Sequence, residues 1–306
     1  MGALDLAALV LIPATVAAGV ALVWLRLSDR AGRYALSVAV AAGLVAGCWI
    51  YPDQLPITPD KHWHWFPYVG ALAAIIGGGA AFAPLPVLDR KLLYFALGAA
   101  AAFVLVPNWP SWPESLPARP ILILRVAAYI GVISAALAFL PDRIRGRGFV
   151  WILALSAAAS AALITSEVSL RYGNISLRVA TALAGCWAAS WLLSSEDSHG
   201  NPSWPQLTLA LIPLYAVLIG GGLFVAAIEP EPPKYPLLLA PATPLLLWLF
   251  AFGPLAKLEG LTAIVAQSIA IVLIPAVLLV SSLLQTEPAD EWSHSSPSYQ
   301  VPSTQH

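Results

Sequence analysis

An all-α integral membrane protein is the fold class this sequence predicts, and two observations predict it. Roughly ten stretches of about 16 to 25 mostly apolar residues run from Ala3 to Leu284, and a hydrocarbon layer about 30 Å thick needs about 20 such residues per helix. Hydrophobic residues make up 59% of the chain and charged residues only 10%, where a soluble domain carries about 25% charged residues. A water-facing surface cannot be built from that set.

The expected helices cover residues 3–25, 34–51, 67–88, 92–107, 120–141, 149–166, 176–194, 206–228, 236–256 and 260–284. The first is too long for a signal-peptide core, lacks a basic leader, and runs into Arg26, Arg30 and Arg33 rather than a cleavage site, so it reads as a retained span. The second and third are built from alanine, valine, leucine and glycine, the third ending before Asp89-Arg90-Lys91. The fourth is short, and the fifth opens at Pro120, a residue suited to the first helical turn. The sixth, seventh and eighth are separated by the polar stretches around Glu167 and 195–203. The ninth contains Pro241 and Pro244 and is expected to break, because proline removes a backbone donor. The tenth ends before 22 residues, Gln285–His306, rich in Ser, Pro, Glu and Gln and free of Lys and Arg. That tail cannot bury enough apolar surface to order itself.

Lysine and arginine in short loops set orientation. With the N-terminus outside, the inner loops hold nine (Arg26, Arg30, Arg33, Arg90, Lys91, Arg143, Arg145, Arg147, Lys257) and the outer loops five (Lys61, Arg119, Arg171, Arg178, Lys234). Ten spans then place both termini outside, in a plasma or inner membrane.

A weak internal repeat gives the functional lead. Ala46-Gly47-Cys48-Trp49 recurs 138 positions later as Ala184-Gly185-Cys186-Trp187. Ser28, Arg30, Gly32, Leu36 and Val38 meet Ser169, Arg171, Gly173, Leu177 and Val179 at an offset of 141. Ile76-Gly77-Gly78-Gly79 meets Ile219-Gly220-Gly221-Gly222 at 143, as Lys91 meets Lys234. Val126, Ala127 and Ile130 meet Val265, Ala266 and Ile269. The reading is a first half at 1–145, a second at 146–284 and the tail at 285–306. Compositional similarity between Ala-, Leu- and Gly-rich helices is the competing account. Five helices per half would invert the second half, the arrangement of many secondary transporters. In layout alone the chain resembles drug/metabolite-type exporters, and no residue roles carry over.

Paired Gly or Pro interruptions point to a transporter site. The candidates are Gly77, Gly78 and Gly79 with Gly220, Gly221 and Gly222, and Gly98 with Pro241. Tight helix packing through small residues explains the glycines equally. Arg125 reads as the one ionisable residue well inside a helix, a functional signal in a membrane unless it snorkels to the surface. Tyr129, one turn on, with Gln267 and Ser268 completes the polar set. A solute anion would meet Arg125.

His62 and His64 offer a two-residue metal spacing, although an interfacial Trp/His belt fits better. Trp109 and Trp112, among prolines, read as headgroup anchors. Cys48 and Cys186 sit in apolar segments as packing residues. Asn174-Ile175-Ser176 matches a glycosylation sequon by chance. No expected helix carries His, Lys or a mid-helix carboxylate, which argues against haem, a retinal-type Schiff base and a carboxylate proton relay. Catalytic sets, metal clusters and cofactor motifs are absent, and nothing suggests nucleic acid. Expected partners are the bilayer, a small neutral or anionic solute and other membrane proteins. The function read from the sequence is secondary transport or facilitated passage. The alternative is a non-catalytic scaffold or subunit of a larger membrane complex.

Overall fold

The computed structural model describes residues 3–27, 34–50, 56, 59–83, 85–108, 113–141, 143–144, 146–192, 204–258 and 260–285. The polar tail beyond Gln285, the Trp109–Trp112 loop and the arginines at 30 and 33 lie outside them.

Ten helices are present among the described residues. They are α1 (residues 3–27), α2 (Ala35–Trp49), α3 (His62–Phe82), α4 (Val87–Leu105), α5 (Arg119–Leu137), α6 (Gly146–Glu167), α7 (Leu170–Leu192), α8 (residues 204–228), α9 (Tyr235–Phe252) and α10 (Gly260–Gln285). Eight are long and apolar enough to cross a membrane. Of the other two, α2 has 15 residues, and α4 carries Asp89, Arg90 and Lys91 in its first turns. The chain is a polytopic membrane protein.

One helix boundary departs from expectation with consequences. Helix α7 starts at Leu170, six residues before the expected 176. Its first two turns, Leu170-Arg171-Tyr172-Gly173-Asn174-Ile175-Ser176, are polar enough to read as loop. Arg178 is therefore a helix-interior residue, not a loop charge, and the idea that Arg125 stands alone inside a helix is corrected.

Contacts at the two ends of the bundle show that successive helices alternate direction. At one face, His62 at the start of α3, Tyr172 at the start of α7 and Glu229 after α8 meet. There, too, Lys234 before α9 and Ser282 near the end of α10 reach Glu167, the last residue of α6. At the opposite face Lys91 of α4 lies 4.0 Å over the Phe139 ring beyond α5. Phe139 packs edge-on against Trp248, and Arg143 lies over Phe252, both near the end of α9.

Helix α8 is the axis of the bundle: every described side chain from Leu207 to Ile228 is buried. Helices α2 to α6, α9 and the edge of α7 surround it. Since lipid gives no hydrophobic drive for one helix to pack on another, close approach must come from small residues. A Cβ on Gly77 of α3 would stand 2.4 Å from the Ala210 carbonyl oxygen of α8.

No internal repeat is detected, and the packing supplies a reason for the shared Ala-Gly-Cys-Trp quartets. Gly47 of α2 sits against Ala8 and Pro13 of α1, and Gly185 of α7 sits against Ala14 of the same helix. Under an inverted five-plus-five symmetry, the partner of α7 at that position would be α6. Both glycines instead answer one local need, two helices closing on the backbone of α1.

Candidate functional site

Helix α9 is broken as its prolines dictate. Tight turns of 3-10 type at Tyr235–Leu238 and Thr243–Leu246 alternate with α-helical turns at Leu239–Ala242 and Leu247–Phe252. Pro244 has no N–H for the carbonyl of Ala240, and Pro241 has none for Leu237. Buried carbonyls left open in a membrane cost several kcal/mol each, so they need other donors.

Side-chain hydroxyls reach three carbonyls of this broken stretch, those of Leu238, Ala240 and Pro241, while the Leu237 carbonyl accepts the Leu239 N–H within its 3-10 turn. The Tyr129 Oη of α5 donates to the Leu238 carbonyl. Tyr215 Oη of α8 donates to the Pro241 carbonyl at 3.0 Å. Thr243 Oγ1 donates to Ala240 at 2.8 Å, with Ser156 Oγ of α6 3.4 Å from the same oxygen. Ser156 also lies 2.7 Å from Tyr215 Oη and 3.0 Å from Thr243 Oγ1. The protons balance when Tyr215 and Thr243 serve the backbone and Ser156 donates to one of their oxygens. Counting residues from the ends of α5, α6 and α8 at 1.5 Å each, the cluster lies about 15 to 21 Å below the His62 face. That is near the middle of a hydrocarbon core about 30 Å thick.

The sequence-derived candidates fall into different places. Tyr129 and Pro241 belong to this cluster. Gly220, Gly221 and Gly222 lie beside it: Gly220 faces Tyr129 and Ile133, Gly221 faces Ile130, and Gly222 faces Phe66. Gly220 and Gly221 close a wide, π-type turn, Ala216–Gly221, that follows Pro213. Gly77 and Gly78 are helix-contact residues, against Ala210 and Tyr34 respectively, while Gly79 has nothing nearer than the Tyr34 hydroxyl at 4.0 Å. Gly98 packs on Ala127 and Ile130 of α5.

Ser268 accepts from Trp151 Nε1 at 3.2 Å, about 7 to 8 Å nearer the opposite face than Ser156 by residue count. Gln267 is buried near it in sequence. Arg125 is exposed on the outer side of α5. The structure thus does not gather Arg125, Tyr129, Gln267 and Ser268 into one site. Sequence reasoning missed Ser156, Tyr215 and Thr243; the signal was available as the only tyrosine of α8, two residues after Pro213, and a threonine beside Pro244.

At the His62 face a second polar knot ties three helices. Tyr172 Oη donates to Glu229 Oε1 at 2.6 Å. His62 Nε2 lies 2.6 Å from Tyr172 Oη and 3.1 Å from Glu229 Oε1. Arg171 lies 3.8 Å over the Trp63 ring. His64 turns the other way, its Nδ1 2.7 Å from Asp60. The two imidazoles do not converge, and no group of three His, Cys, Asp or Glu suited to a metal exists among the described residues.

Arg178 is the other residue missed. It is 0% exposed, with its Nη1 3.5 Å from Cys48 Sγ and its Cδ against Gly47. Neighbouring Thr181 donates to the Leu9 carbonyl, in the π-type turn Ala7–Leu11 of α1. No family model, no curated protein and no solved structure matches this chain.

Proposed function

We propose that the protein carries a small, neutral, hydrogen-bonding solute across the membrane as a secondary transporter or facilitator. One observation carries this reading: a proline-broken helix at mid-depth, packed on the central helix, whose backbone carbonyls are met by hydroxyls from three other elements. Discontinuous helices with exposed carbonyls near the midplane are where transporters hold their cargo. Non-helical backbone is tolerated there only when buried in protein or lining a cavity. Each hydroxyl of the cluster can exchange its carbonyl for a solute hydroxyl or amide at little net cost, because one hydrogen bond replaces another.

Charge narrows the solute class. The cluster offers hydroxyls and carbonyl oxygens and no cation. With Arg125 on the outer side of α5 and Arg178 packed against Cys48 and Gly47 of α2, none of the cluster's described hydrogen bonds comes from a cation that an anionic cargo would need. The wide turn at Ala216–Gly221 beside Tyr129 is suited to act as the pivot. We read the His62 face as the outer one, from the basic loops on the other side.

The test is osmotic swelling of proteoliposomes in glycerol, urea and erythritol. Wild-type vesicles should swell faster than protein-free ones for at least one solute. Ser156→Ala, which leaves the Tyr215 and Thr243 hydroxyls on the Pro241 and Ala240 carbonyls, should change that rate several-fold with little change in the melting temperature in detergent, whereas Tyr215→Phe should change the rate and lower the melting temperature. Wild-type vesicles no faster than empty ones for all three solutes would sink the reading. Recovery of the native protein only in a stoichiometric hetero-complex would then favour a scaffold.

A further inference from the structure

Arg125 lies six residues along α5 from Arg119, about 9 Å down the helix axis. It is exposed on the same side as Ile121, Leu124 and Val132, while Leu122, Val126, Ile130 and Ile133 are buried on the other. That outer side faces acyl chains. Among the described residues Arg125 makes no ion pair, hydrogen bond or ring contact. Its neighbour Arg119 is engaged already, donating to the Pro107 and Val106 carbonyls with its guanidinium over Phe103.

A guanidinium does not lose its proton in a protein, and a bare charge among hydrocarbon chains costs at least about 2.5 kcal/mol. The side chain has one way out. Helical side chains lean toward the N-terminus of their helix, and the N-terminus of α5 is at the His62 face. An extended arginine covers most of the distance to the headgroup level. There the available anion is a phosphate, which a guanidinium holds through two parallel hydrogen bonds.

We propose that the outer side of α5 is a phospholipid site, with Arg125 on the lipid phosphate and an acyl chain along Ile121, Leu124 and Val132. The charge complementarity selects a phosphate-bearing lipid over one with an uncharged headgroup. The site stands apart from the hydroxyl cluster around Ser156, and its test does not depend on transport.

Native mass spectrometry of the purified full-length protein, with phosphatidylglycerol or a galactosyl diacylglycerol of matched chains added, decides it. The wild type should retain phosphatidylglycerol that Arg125→Leu and Arg125→Gln lose several-fold, with Arg125→Lys in between. Galactolipid retention should be the same in all four. Equal phosphatidylglycerol retention by the wild type and both neutral variants would overturn the proposal. So would galactolipid binding that depends equally on Arg125. If the neutral variants instead keep the lipid and release an acidic protein partner, the face belongs to that partner and the lipid site is wrong.

Discussion

The guanidinium of Arg178 is a fully buried cationic group, packed against Cys48 and Gly47 of α2. Its Nη1 donates to Cys48 Sγ at 3.5 Å. Removing one partner of a buried charged arrangement typically costs about 3–5 kcal/mol, since the others are left stranded. Arg178→Met is therefore expected to lower the unfolding midpoint in mixed detergent micelles far more than Cys48→Ala, whose sulfur is a weak acceptor. Equal midpoints for the two variants would show that Arg178 contributes nothing by its charge. Gly47 belongs to the same device: a Cβ there would stand 3.0 Å from Arg178 Cδ, 2.9 Å from the Ala8 carbonyl and 2.7 Å from Pro13. None of this was legible in the sequence. Arg178 lay in a polar stretch that loop and helix share, and burial of a polar helix start depends on neighbours from α1 and α2 that are distant in the chain.

Elements show a sharper division between what local chemistry dictates and what it leaves open. The break in α9 was readable because Pro241 and Pro244 act on their own backbone, whatever surrounds them. The centrality of α8 was not, because a helix apolar on all sides is as suited to lipid as to a buried core. Glycine content was the only hint, and it points to contact without naming the partner. Gly77 and Gly79 separate these cases experimentally. A methyl at Gly77 meets the Ala210 backbone oxygen at 2.4 Å, whereas Gly79 has open space to 4.0 Å. Backbone cannot step aside as a side-chain tip can, so Gly77→Ala should be overpacked by about 1–3 kcal/mol. Gly79→Ala should be neutral or slightly stabilising, as expected for glycine replaced inside a helix. Thermal unfolding in detergent reads both. A neutral Gly77→Ala would mean that α3 and α8 do not approach this closely.

For the whole molecule, alternation of the helices follows from loop contacts at both faces, while the choice of which face is outward rests on charge alone. The His62 face gathers Lys61, Arg171 and Lys234 with Glu167 and Glu229 among them, and Lys234 is paired with Glu167 at 3.0 Å. The opposite face carries Lys91, Arg143 and Lys257, and the helix ends on that side hold Arg26, Arg90 and Arg147 as well. Because the translocation machinery responds to lysine and arginine rather than to net charge, the opposite face should be cytoplasmic. Single cysteines at Lys61 and Lys257, in a background with Cys48 and Cys186 replaced by alanine, test both parts of the argument at once. A membrane-impermeant thiol reagent should label Lys61→Cys in intact cells and Lys257→Cys only after the membrane is opened. Labelling with the two positions exchanged would invert the protein and keep the bundle. Labelling of both from one side would break the alternation, and with it the placement of the Ser156–Tyr215–Thr243 cluster at mid-depth.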